Sequence, residues 1–143
     1  MGGCTMRAAS PWEDAVQTTN NHDTFTSVAP DCPATSAQVP PERATPSVAR
    51  LQYDLLADAP YRYTSDDVVY LSQGERRGID RETFFAKGQP CLRASPLVKR
   101  YGWGVHHDAQ GRVALVPVES AEYAALRADP ALQQREGMRS SRA

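Results

Sequence analysis

Apolar residues fall at helical spacing in the middle of the chain and at strand spacing in its second half. Val48, Leu51, Leu55 and Leu56 share one face of a helix. Thr45 is its expected cap, with Pro46 in the first turn, where a missing N–H costs nothing, and Pro60 sets its outer limit. A second helix is predicted from Thr64 or Ser65, because Asp66 and Asp67 then meet the positive end of the helix dipole; the Val68-Val69-Tyr70-Leu71 that follows also suits a strand. Asp80 is the expected cap of a short third helix carrying Phe84 and Phe85 and stopped at Gly88. Ser120 and Asp129-Pro130 are expected to cap two more, the first with Tyr123 and Leu126, the second with Leu132.

Strand patterning is clearest over Tyr101–His107 and Arg112–Val118, with Asp108-Ala109-Gln110-Gly111 between them as a four-residue hairpin loop in which Gly111 takes positive φ. That loop sets His107 opposite Arg112 and puts Tyr101, Trp103, Val105 and His107 on one face beside Val118, Val116, Ala114 and Arg112. Gly102, Gly104 and His106 then share the other face with Pro117, Leu115 and Val113. Asp23–Ala29, with Phe25 and Val28 around threonines, reads as a further short strand. Five prolines between Pro30 and Pro46 predict an extended, surface-hugging connection.

At 143 residues the chain is the length of one domain, and an apolar share of 41% is slightly low for a wholly globular one. Residues 1–21, small, polar and without periodicity, are therefore expected to be a disordered extension ahead of a single domain over 22–143. The net charge of −1 conceals a split: four basic and nine acidic residues precede Glu75, twelve basic and eight acidic follow from it, so the halves carry −5 and +4. The second half is the one suited to face an anion. No run of 18 apolar residues occurs and the start lacks an apolar leader segment, which points to a soluble, cytoplasmic protein. Cys4, Cys32 and Cys91 are odd in number and widely spaced, so reduced thiols are expected rather than a disulfide framework.

Chemistry-bearing side chains concentrate between Lys87 and Asp108. His106 and His107 are adjacent on a strand and point to opposite faces, and no HxxxH or HExxH spacing accompanies them, so a metal site is not expected. No cofactor signature is legible, because Gly102 and Gly104 lie within a strand and not in the strand-turn-helix setting of a phosphate loop; close helix packing is the first reason for this glycine pair. Cys91, near Arg93, is the candidate nucleophile of a thiol-dependent enzyme, with His106 or His107 as base. A cysteine between Pro90 and Leu92 also suits a small buried hydrophobe. Arg93, Lys99, Arg100, Tyr101 and Trp103 form a basic and aromatic group of the kind that meets a phosphate and stacks on a base. Nucleic acid is the weaker candidate partner, since a pI near 6.3 gives it no general attraction.

The blocks DTFTSVAPDCP, YTSDDV, FFAKGQPCLRASPL and KRYGWGVHHDAQGRVALVPVES resemble a family of small uncharacterised proteins, a domain of unknown function. The resemblance runs from about Thr19 to Arg139 and brings no activity, cofactor or catalytic residue to carry over. These readings together predict a single compact α+β domain, a small antiparallel sheet built on the hairpin and covered by several short helices. The leading functional expectation is a binding module for an anionic or nucleotide-like ligand around Arg93, Lys99, Arg100, Trp103 and His106. The alternatives are the Cys91 enzyme and a protein-interaction module without chemistry.

Overall fold

Small residues with β-branched and aromatic neighbours give the central strands, and side-chain caps start nearly every helix. The computed structural model describes residues 18–139; Cys4 and most of the expected N-terminal extension lie outside them. In chain order come β1 (Thr24–Ser27), α1 (Val48–Asp58), α2 (Ser65–Val69), α3 (Arg81–Phe85), α4 (Pro96–Lys99), β2 (Trp103–His107), β3 (Val113–Pro117), α5 (Ala121–Arg127) and β4 (Gln133–Glu136). A π-helical turn over Tyr70–Gly74 extends α2, and a 3₁₀ turn over Leu92–Ala94 precedes α4.

The caps follow local chemistry. Thr64 and Asp67 form a reciprocal capping box on α2, Asp80 accepts from the Thr83 amide at 3.0 Å, and Ser120 accepts from the Tyr123 amide at 3.1 Å. On α1 the cap is Ser47, two residues later than expected, because its hydroxyl reaches the Arg50 amide at 3.2 Å. Gly74 ends the π-helical turn where a Cβ would meet the Tyr70 ring at 2.6 Å and the Phe84 ring at 2.9 Å.

The sheet has four strands in the order β3-β2-β1-β4 and is mixed, not antiparallel throughout: β1 runs antiparallel to β2 but parallel to β4. β4 also replaces the helix expected after Asp129. All four residues of β1 are buried, and an open edge there would leave backbone donors and acceptors without partners. Gln133 and Gly137 instead donate to the carbonyls of Asp23 and Ser27 at 2.9 and 2.8 Å.

In the hairpin, Asp108 pairs with Arg112 around a three-residue loop, Ala109-Gln110-Gly111, with Gly111 at φ +79°. One residue fewer in the loop slips the register by one, so His107 faces Val113 and Trp103 faces Pro117. His107 therefore shares its face with buried Val113 and not with exposed Arg112.

That face packs on the helices. Val105 and Val113 join Leu56, Val68, Val69, Phe84, Phe85, Leu92 and Val98 in the larger core. Beneath it lies a closed polar chain in which Ser95 donates to Gln52 at 2.6 Å, Gln52 to Ser72 at 3.1 Å and Ser72 to the Val68 carbonyl at 2.7 Å. α5 covers the opposite face through Tyr123, whose ring meets Phe25 edge-on at 5.1 Å. The proline-rich segment runs as an extended strap across the start of β2: Gln38 donates to Tyr101 and accepts from the Trp103 indole, both at 2.8 Å.

The packed region reaches back to Thr18, ahead of the boundary expected at 22. Asp66 draws it in, accepting from the Thr18 hydroxyl at 2.6 Å and from the Thr19 amide and hydroxyl at 2.6 and 2.7 Å.

Candidate functional site: an arginine-lined cavity at the sheet edge

β4 is short, polar and exposed, and the residues around it are cationic. Arg93 arrives from the 3₁₀ turn Leu92–Ala94, Arg127 from the last turn of α5 and Arg135 from β4 itself. With Ser27, Gln134 and Glu136 they line an open cavity of about 430 Å³. Arg93 is fixed there by its Nε, which donates to the Glu136 carbonyl at 2.6 Å, while its own carbonyl accepts from Met138 at 2.8 Å. Among the described residues none of the three arginines forms an ion pair. Three guanidiniums against one carboxylate leave the lining with a net charge of +2, and a concave cationic lining concentrates anions.

Arg93 and Arg135 also wall a neighbouring cavity of about 220 Å³, completed by Thr18, Thr19, Asn20, Asn21 and Cys91. Cys91 is a free, half-buried thiol. A third cavity touches it on the other side, lined by Gln52, Gln73, Ser95 and their neighbours, and no histidine lines either of the two among the described residues.

Both histidines of the pair are engaged or enclosed elsewhere. His106 Nδ1 lies 2.8 Å from the Tyr61 hydroxyl, and the two rings meet edge-on at 5.6 Å. Burial, followed by the Glu122 and Asp108 charges, pushes the Tyr61 phenol above its ordinary range, so the phenol stays protonated. Tyr61 holds φ +59°, an uncommon conformation for an aromatic residue, while its amide donates to the Val113 carbonyl at 3.0 Å. His107 is 1% exposed, its Nδ1 has no hydrogen-bond partner among the described residues, and burial lowers its pKa to about 4.

The remaining sequence candidates take separate places. Trp103 spends its indole N–H on the strap and leans on Tyr53 at 5.6 Å, and Tyr101 binds the strap through its carbonyl. Lys99 closes α4 and Arg100 follows it, exposed. None of these four lines the arginine cavity. The space beside Gly104 is filled by Phe25 and Tyr123, so helix packing accounts for that glycine. Among the described residues no three His, Cys, Asp or Glu side chains converge as metal ligands, and no helix is long and apolar enough to cross a membrane.

Of the three arginines that line this cavity, the sequence singles out Arg93 and not Arg127 or Arg135. The only signal toward them was the basic excess from Glu75 onward, because Gln133–Glu136 has neither alternation nor β-branched residues to mark it as a strand.

A model of a family of unknown function (DUF6157) matches residues 16–143. No curated protein and no solved structure matches the chain.

Proposed function

The chain belongs to that family of unknown function, and on its own residues we propose that it is a binding module for a small anionic ligand, held at the β4 edge by Arg93, Arg127 and Arg135. The observation that carries this reading is the convergence, from three separate elements, of three guanidiniums that form no ion pair among the described residues, on one cavity of about 430 Å³. That volume lies within the range of small-molecule sites. Guanidiniums suit phosphate and carboxylate oxygens because their donors lie in a planar fork. Among the described residues no aromatic side chain lines the cavity, which favours a compact anion over a ligand whose base must be stacked.

Titration calorimetry with inorganic phosphate and with pyrophosphate tests the reading. Binding should weaken with added salt, and Arg127→Ala and Arg135→Ala should each reduce affinity about tenfold, the scale of one lost charge-assisted hydrogen bond. Glu136→Gln should strengthen it. Arg93→Ala is a poorer probe, since Arg93 also ties the 3₁₀ turn to β4. Absence of binding by either anion, or binding indifferent to both arginine variants, would sink the proposal.

A further inference from the structure

A second concavity on the molecule has the opposite chemistry. Between α1 and the turn Tyr70–Gly74 lies a groove of about 290 Å³ with Leu51, Leu55, Tyr63 and Leu71 as its floor and Asp54, Asp58 and Glu75 on its rim. On α1 the two leucines and the two aspartates are each four residues apart, so apolar and acidic rows run side by side along the helix. The four floor residues are half-buried, and Leu51, Leu55 and Leu71 belong to neither hydrophobic core. The rim is exposed and carries three negative charges, and among the described residues no basic one lines the groove. Arg50 meets Asp54 at 3.0 Å, whereas Asp58 and Glu75 form no ion pair among the described residues. Arg62 lies over the ring of Tyr63, 5.8 Å from its centroid.

We propose that this groove docks a short basic amphipathic segment of a partner protein, with apolar side chains set between the leucines and lysines or arginines against Asp58 and Glu75. Charge selects this occupant. An acidic rim repels nucleic acid and anionic lipid surfaces alike. The volume falls just below the range of drug-sized ligand pockets and suits side-chain anchors. Interhelical grooves receive amphipathic helices in this way, through anchors one turn apart. The inference rests on different residues from the anion site and stands or falls separately from it.

The test uses the whole protein and fluorescence anisotropy with a labelled leucine-lysine peptide of helical amphipathic spacing, beside a leucine-glutamate peptide of the same apolar pattern. The leucine-lysine peptide should bind and the leucine-glutamate peptide should not. Asp58→Asn combined with Glu75→Gln should weaken binding about fivefold with the melting temperature preserved, as expected for exposed charge pairs. Leu55→Ser should weaken it further, and Arg135→Ala should leave it unchanged. Equal binding of both peptides, or indifference to the paired rim variant, would overturn the proposal. So would displacement of the peptide by butylammonium at similar concentration, which would give the groove to small amines. Sedimentation showing a dimer that the rim variant dissolves would assign it to a second copy and equally reject a separate partner.

Discussion

His107 stands between Thr24 and Val113 on the helix-facing side of the sheet. Burial is the first cause of its lowered pKa of about 4; the neighbouring charges of His106 and His22 push the same way, and Asp108 opposes them. The unfolded chain takes up this proton near pH 6.5 while the folded one resists it. The His107 contribution to stability is thus fully present above about pH 6.5 and is lost as pH falls toward 4, a change of about 3 kcal/mol. Urea unfolding between pH 7 and 4.5 should show this loss, and His107→Gln should flatten the profile over that window. Parallel profiles for the two proteins would contradict the assignment. The sequence made the opposed facing of His106 and His107 legible, because alternation is a property of any strand. It did not reveal which of them the helices cover, since a one-residue register shift decides what stands beside each.

The elements owe their starts to near neighbours and their arrangement to distant ones. Thr64, Asp80 and Ser120 cap helices through amides three residues away, contacts that a short window of sequence contains. The turn at Gly111 is similarly local, although its loop is one residue shorter than the sequence predicts. Gly104 belongs to the other category. A Cβ there would come within 2.8 Å of the Phe25 ring and 2.9 Å of the Tyr123 ring, side chains from β1 and α5. Gly104→Ala should therefore cost about 1–3 kcal/mol by overpacking, read as a lower denaturation midpoint with little change in slope. Gly88→Ala, where nothing lies within 4 Å of an added Cβ, should be close to neutral.

Across the whole molecule, Thr18 and Thr19 complete the fold rather than precede it. Thr18 and Thr19 supply three of the donors to Asp66, which is 9% exposed. A chain beginning at His22 should lose about 1–3 kcal/mol relative to one beginning at residue 16, because that carboxylate loses its donors. In the Asp66→Ala background the same shortening should cost less, and thermal melts of the four proteins give the coupling directly. The charge split legible in the sequence has a counterpart at this scale: Asp54 and Asp58 of the acidic half rim the apolar groove, whereas Arg93, Arg127 and Arg135 of the basic half line the cavity at β4. The sequence by itself determined the caps at Thr64, Asp80 and Ser120, the apolar face of α1, the hairpin's existence and the α+β class, because each depends on spacing within a few residues. Only the tertiary structure decided the hairpin register, the parallel seat of β4 beside β1 and the meeting of Arg93 with Arg127 and Arg135. The register follows from the length of the Ala109–Gly111 loop, whereas the seat of β4, which carries Arg135, follows from a buried strand edge that still needs hydrogen-bond partners, and residues more than a hundred positions apart carry no local period that announces their pairing.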